Sequence, residues 1–336
     1  MRVLIATDAW RPQVNGVVRT YERLEEQLHL LGHETEFLTP DGFRTLPLPT
    51  YPEIRLALIR PGNAEKRIAS FKPDHIHIAT EGPIGLATRA ICLRHSHPFT
   101  TSYHTRFPEY ASARLPIPVA WGYALERWFH NAGNGTMVAT PSLLEELAGH
   151  GLDKLMLWSR GVDTQMFRPR NVRIFGDGPV FLYVGRVAVE KNLAAFLDLD
   201  LPGRKVIVGS GPQLEALKAA YPAAIFTGPL FDEALAEAFA SSDVFVFPSL
   251  TDTYGVVLLE ALASGVPVAA YPVTGPKDIV ASGKVGCLSQ DLQEAALCAL
   301  GMDRDVCRDY ALGFTWETCA RQFIANLMTA CKGFNA

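Results

Sequence analysis

The sequence predicts an α/β protein built from two doubly wound, parallel-sheet domains. Three observations carry this. Strand-like and helix-like stretches alternate along nearly the whole chain, the pattern of a parallel sheet covered by helices on both faces. The 336 residues are more than one ordinary core holds. The alternation pauses once, around 160–175, where Pro169 and then Gly176, Gly178 and Pro179 punctuate the chain. The expected domains are therefore 1–165 and 166–315.

In order, Val3–Thr7 is a β-rich run. Val18–Leu31 carries helical apolar spacing (Val18, Tyr21, Leu24, Leu28, Leu31) and stops at Gly32. Glu36–Thr39 reads as a strand closed by Pro40, His75–Ile78 as a strand, Ile84–Arg94 as a helix and Phe99–Tyr103 as a strand. Met137–Thr140 is a strand, and a helix runs from Pro141 to Gly149 or Gly151. The second series has strands at Val180–Val184, Lys205–Val208, Ala224–Thr227, Phe245–Pro248 and Pro267–Ala270. Helices at Asn192–Leu199, Pro212–Ala220, Asp232–Ser241 and Leu258–Ala263 separate them, and Trp316–Ala330 closes the chain with an apolar helical stripe. Two such domains facing each other would leave a cleft at the carboxyl ends of the strands, where ligands of doubly wound sheets bind.

Composition narrows the function classes. The chain is 48% hydrophobic and 20% charged, with a net charge of -4, which excludes a dedicated nucleic-acid binder. No stretch reaches the roughly 18 uninterrupted apolar residues of a membrane span, and the opening MRVLIATDAW reads as a first strand rather than a signal peptide. Six cysteines, none in a C-x-x-C pair, suggest unbridged thiols in a reducing, cytoplasmic setting. The segment 107–129 is rich in aromatic residues and is flanked or crossed by Arg106, Arg114 and Arg127, with breaks at Pro116 and Pro118. It suits either core or a partly exposed helix against an anionic lipid surface.

The chemistry concentrates at loops that follow strands. After Phe245–Pro248 come Asp252, Tyr254, Gly255 and Val256, then an apolar helix with a single acid, Glu260. A strand, a tight turn and a helix start together suit a phosphate, and the flanking carboxylates can accept hydrogen bonds from sugar or ribose hydroxyls. Helix capping by Asp252 or Thr253 is the plainer alternative. After Val180–Val184, Arg186 and Lys191 place two cations that suit a diphosphate, unless they form a solvated cluster with Glu190. Asn15 and Gly16 sit between the first strand and first helix, where glycine lets the backbone approach an anion; the loop is not the G-x-G-x-x-G of NAD-type folds. His104, just past Phe99–Tyr103, is placed to bond a sugar or a developing charge, or to pack against backbone. His75, His77, His95 and His97 read as structural, and no group has zinc-site spacing.

These residues carry a resemblance. MRVLIATDAWRPQVNGVVRT, SYHTRFPEY, RGVDTQMFRP, GRVAVEKN, VGSGP, PSLTDTYGVVLLEALASGVPVAA and FTWETCARQF, in this order, resemble the retaining glycosyltransferases of family GT4, with the two-domain GT-B fold. YPEIRLAL and SYHTRFPEY look most like bacterial mannosyltransferases and glycolipid glycosyltransferases of the GDP-mannose-dependent and sulfoquinovosyl types. The resemblance implies transfer of a hexose from a nucleotide-diphosphate sugar, GDP-mannose or a UDP-sugar, to a lipid or glycan hydroxyl. No metal or other cofactor is implied. It places Asn15 and Gly16 by the donor phosphate and His104 by the donor sugar. Arg186 and Lys191 would bind the diphosphate, Asp252 a sugar hydroxyl and Glu260 the ribose, while Tyr254, Gly255 and Val256 shape the turn. It brings the closing helix, 316–336, back onto the first domain. The family's Glu-x7-Glu is Asp252-x7-Glu260 here, one methylene shorter at its first acid. A nucleotide-sugar epimerase of the same fold, or a catalytically degenerate nucleotide-sugar-binding protein, are the competing expectations. The expected place is the cytoplasm, with peripheral contact at the inner face of the membrane through 107–129.

Overall fold

Short runs such as LIA, HIHI and VFVF are buried along their whole length, which is what a strand covered by helices on both faces requires. The computed structural model describes residues 1–11, 13, 16–48, 51–59, 61–114, 118–280 and 283–332. The chain divides into two units, one made of Met1–Ser159 with Trp316–Ala336 and the other of Arg160–Thr315.

The first unit holds a six-stranded parallel sheet in the order Glu34–Leu38, Arg2–Ala6, His75–Ile78, Phe99–Ser102, Gly135–Val138, Leu155–Leu157. Its order reverses beside Arg2–Ala6, so the switch point lies at the loop leading to Gly16. The helix Gly16–Leu30 buries Val18, Tyr21, Leu24 and Leu28, the stripe its spacing predicts. The closing helix Trp316–Lys332 packs Cys319, Phe323 and Leu327 into the same cluster as Tyr21, Leu24 and Trp158. Trp158 Nε1 donates to the Cys319 carbonyl at 3.1 Å, and the Ser159 amide donates to Gln322 Oε1 at 2.8 Å.

In the second unit the six parallel strands run Ile225–Gly228, Arg204–Val208, Val180–Val184, Val244–Phe247, Val268–Ala270, Gly286–Leu288. Numbered within the unit this is 3-2-1-4-5-6, the dinucleotide-fold order, with its switch point between Val180–Val184 and Val244–Phe247. The elements beyond the sequence expectation include the hairpin Thr45–Leu48 with Tyr51–Ala57, the strands Leu155–Leu157 and Gly286–Leu288, and the helices Pro61–Phe71, Pro276–Ile279, Leu292–Leu300 and Arg304–Ala311.

One expectation is corrected. Cys287, in Gly286–Leu288, is disulfide-bonded to Cys298, in the helix Leu292–Leu300. The eleven-residue separation concealed a pairing that the strand-to-helix packing creates. Cys92, Cys307 and Cys331 are free, and Cys319 is buried. Among the described residues no helix is long and apolar enough to cross a membrane.

Candidate active site

In the second unit the site grows from the two strands that flank the switch point. Val180–Val184 ends at Gly185, whose φ of 154° and contact with the Tyr183 hydroxyl exclude a side chain. Tyr183 donates its hydroxyl to the Arg186 carbonyl at 2.9 Å, which sets the path of the loop. Burial raises the Tyr183 phenol well above its ordinary range, and the Asp252 and Glu190 carboxylates add to this. The loop after Arg204–Val208 locks the same turn from the other side. The Val187 amide donates to the Ser210 carbonyl at 2.9 Å, and the Gln213 amide to the Val187 carbonyl at 3.1 Å. A Cβ on Gly209 would lie 1.9 Å from the Gly185 carbonyl oxygen, and one on Gly211 would lie 2.3 Å from that of Val187. The two glycines of VGSGP therefore exist for backbone-to-backbone contact.

A 3₁₀ turn, Val189–Lys191, then presents Lys191. Asn192, at φ 53°, ties this turn to the neighbouring strand end by donating Nδ2 to the Pro248 carbonyl at 3.2 Å. Lys191 Nζ donates to Asp252 Oδ1 at 2.5 Å, and the two side chains are only 20% and 19% exposed. The other oxygen, Oδ2, is buried and accepts no hydrogen bond from the protein. A buried carboxylate oxygen in this state is a ready acceptor for a ligand donor.

The helix Val256–Ala263 is not capped by Asp252 or Thr253. Its cap is Gly255, at φ 83°, with no side-chain bond to the first turn. Glu260 lies 7% exposed in that helix and Tyr254 is 6% exposed. Gly275 presses against the turn, since a Cβ there would lie 2.7 Å from the Tyr254 carbonyl oxygen. Arg186, Lys191, Asp252, Tyr254, Gly255, Val256 and Glu260 thus all follow two adjacent strands.

In the first unit Asn15 lies outside the described residues. Gly16 opens the helix Gly16–Leu30, and nothing lies within 4 Å of where its Cβ would be. Packing therefore does not demand a glycine there. His104 Nε2 is 3.0 Å from the Tyr21 hydroxyl, which is also 3.0 Å from His77 Nε2. Ser102 Oγ is a third neighbour at 3.4 Å, so the hydroxyl's one proton goes to one of three groups and the protonation of the two rings depends on that choice. His77 continues to Ser102 at 3.0 Å and Thr100 at 2.8 Å. Its structural role extends to holding His104, through contacts 56 and 83 residues apart in sequence that no spacing revealed.

One further group went unread. Glu81, Glu126 and His130 place ligand-type atoms within 4.8 Å of one another. His130 Nε2 is 3.0 Å from Glu126 and 3.3 Å from Glu81, and Nδ1 is 2.8 Å from the Thr101 hydroxyl. Only the i, i+4 spacing of Glu126 and His130 hinted at it. Burial opposes the imidazolium, but the two carboxylates outweigh it and raise His130 to about 9; burial also raises Glu81. Both groups hold protons more tightly folded than unfolded, so stability falls as pH rises. The His130 contribution is complete below about 6.5 and is lost on passing through about 9. Differential scanning calorimetry should show the Tm advantage of the native chain over His130→Gln shrinking across that window. A constant difference would contradict this.

The fold defines the class: two Rossmann-like, parallel-sheet units of the GT-B kind. The profile described as Glycosyltransferase Family 4 matches residues 14–166, and that described as Glycosyl transferases group 1 matches 178–301. A GDP-mannose-dependent alpha-mannosyltransferase of Mycobacterium tuberculosis is 34% identical over 315 residues, covering 86% of this chain and 83% of its own. An alpha-monoglucosyldiacylglycerol synthase of Streptococcus pneumoniae is 26% identical, covering 89% and 78%. The solved sucrose-phosphate synthase of Thermosynechococcus elongatus superposes with a TM-score of 0.74 at 19% identity, over 96% of this chain and 97% of that one, a likeness of fold. The chain belongs to glycosyltransferase family 4, and it is a hexosyltransferase that uses a nucleotide-sugar donor.

Proposed function

We propose that the chain transfers mannose from GDP-mannose to a hydroxyl of a lipid-borne acceptor, with retention of anomeric configuration. The observation that supports this best is the Lys191–Asp252 pair beside a buried, unoccupied acceptor atom at the second unit's switch point. The 34% identity to a GDP-mannose-dependent enzyme supports the donor. In this reading Arg186 and Lys191 grip the diphosphate as charge builds on it, Asp252 Oδ2 accepts from a sugar hydroxyl and Glu260 holds the ribose. Asn15 and Gly16 approach the donor phosphate, and His104, held by Tyr21, meets the donor sugar. Tyr254, Gly255 and Val256 shape the turn and turn uncapped helix amides toward negative charge. Cationic side chains and amide dipoles supply the stabilisation of the leaving group, so the reading calls on no metal.

A thermal-shift panel of UDP, GDP, ADP and their sugars tests it. GDP should stabilise most, by about 2.7 kcal/mol at one hundred times its Kd, and Glu260→Ala should weaken GDP binding by roughly 1.5–3 kcal/mol. A larger response to UDP, or intact GDP binding in Glu260→Ala, would overturn the donor or the ribose role respectively.

We also infer that the chain works at the cytoplasmic face of a membrane. On the helix Val119–His130, Trp121, Leu125 and Trp128 are 71%, 61% and 52% exposed along one face, while Tyr123 and Phe129 are buried. Indole rings at a helix surface suit a headgroup boundary. Co-sedimentation with phosphatidylglycerol vesicles should be strong for the native chain and lost in Trp121→Ser/Leu125→Ser; equal sedimentation of both would reject the surface.

A further inference from the structure

Beneath the helix Val119–His130, two of its buried side chains, Glu126 and His130, meet Glu81 from the loop after the strand His75–Ile78. Among the described residues this is the one group of three or more His, Cys, Asp or Glu side chains close enough to share an ion. We propose that it is a structural site for one divalent transition-metal ion, zinc by its chemistry, which clamps this helix to the loop beyond His75–Ile78. No step of glycosyl transfer runs through this ion.

The spacing fits one ion. Ligands about 2.1 Å from a tetrahedral metal lie roughly 3.4 Å from one another. His130 Nε2 stands 3.0 Å from Glu126 and 3.3 Å from Glu81, and the widest gap in the group is no more than 4.8 Å. The Glu81 side chain is 15% exposed, which leaves the ion a way in. The imidazole is also set for the role. Its Nδ1 is 2.8 Å from the Thr101 hydroxyl, which itself bonds Thr136 at 3.1 Å. Thr101 can accept from Nδ1–H, and the Nε2 lone pair is then left facing the carboxylates, as in metal-binding histidines. Two carboxylates beside a neutral imidazole hold two negative charges away from water, and a divalent cation cancels both. The neighbouring guanidiniums are committed elsewhere. Arg106 bonds both oxygens of Glu146, at 2.6 and 2.7 Å, and Arg89 bonds the Phe129 and Trp128 carbonyls. Finally, a plain hydrogen-bonded triad leaves two polar atoms unused. Glu81 Oε1 is buried and accepts no hydrogen bond, and Tyr103, 0% exposed, has a hydroxyl with no partner. The Tyr103 ring lies 5.9 Å from that of His130, and the Glu126 carboxylate acts on its phenol. Buried polar atoms in this state call for an ion or a water as partner. A metal takes Glu81 Oε1 as a ligand, and a water in its fourth position accepts from the Tyr103 hydroxyl. One imidazole with two carboxylates suits zinc, whereas calcium and magnesium favour oxygen alone. Metal and proton compete for Nε2, so the calorimetric window given for His130→Gln is that of the chelator-treated chain.

The full chain, stripped with EDTA and desalted, is titrated with zinc chloride by isothermal calorimetry, and the loaded chain is read by zinc X-ray absorption. One zinc per chain should bind, with a first shell of nitrogen and oxygen at about 2.0–2.1 Å and no sulfur at about 2.3 Å. Glu81→Gln should weaken binding by about a hundred-fold or more, and Thr101→Val, which removes the acceptor from Nδ1, by about 10–100-fold. Glu65→Gln, in the surface pair with His95, should bind zinc as the native chain does. No zinc uptake, a sulfur shell from the cysteine thiols, or equal uptake in Glu81→Gln would each overturn the site. The absorption spectrum needs only the native chain, so it decides the matter even where a variant misfolds.

Discussion

Lys191→Ala should lower turnover by about two to three orders of magnitude, the usual cost of removing one group that stabilises a developing negative charge. Glycosyl transfer breaks the anomeric C–O bond to a diphosphate, and the charge that appears there must be met by fixed positive charge. Lys191 is well placed by its surroundings. Its turn is held by the Asn192–Pro248 bond, and its ammonium is fixed by Asp252 at 2.5 Å with both side chains mostly buried. The substitution also leaves the Asp252 carboxylate without its cation, so donor binding should weaken as well. The KM for the acceptor should stay within a few-fold, because in the proposed role the ammonium serves the leaving group. Steady-state kinetics with both substrates varied decides it, and a defect confined to acceptor KM would end this assignment.

Gly209→Ala should unfold the second unit at a much lower temperature. A methyl group there would stand 1.9 Å from the Gly185 carbonyl oxygen, and that backbone is held by the Gly185 amide donating to the Val208 carbonyl at 3.0 Å and the Val187 amide donating to the Ser210 carbonyl at 2.9 Å. Neither neighbour is a flexible side chain that can swing aside, and φ is 144°. A cost of about 4 kcal/mol belongs to the uncommon, severe class of substitutions. For a unit of this size it lowers Tm by roughly 10 °C. Gly16→Ala is the control, since nothing lies within 4 Å of its Cβ position. Calorimetry of both variants should separate them clearly; similar Tm values would mean that the VGSGP loop yields more than its geometry implies.

Most regular elements were legible in the sequence, with ends displaced by a residue or two. The failures have physical causes. Gly286–Leu288 and Leu155–Leu157 are three residues each, too short for a period to register. The hairpin strands contain Pro47 and Pro52, which argue for loop unless the strands lie off the main sheets, as this pair does. Arg304–Ala311 buries only Cys307 and Ala311 in a highly charged run, so its apolar stripe is thin. Its N-cap was readable: the Asp303 carboxylate accepts from the Asp305 and Val306 amides. At the site, Lys191 and Asp252 could be suspected one at a time, because each follows a strand. Their contact could not be foreseen.

Sequence by itself determined the alternation of strands and helices, the class of fold that follows from it, and the strand-following loops where anionic and hydroxylated groups can bind. These are local properties: backbone periods of two and 3.6 residues, and the chemistry of a turn. Only the tertiary structure decided that Lys191 meets Asp252, that Tyr21 joins His77 to His104, that Cys287 bonds Cys298 and that Glu81 faces His130. Each of these pairs is made by the order of strands in a sheet or by a helix laid across it, and periodicity along the chain does not encode that order.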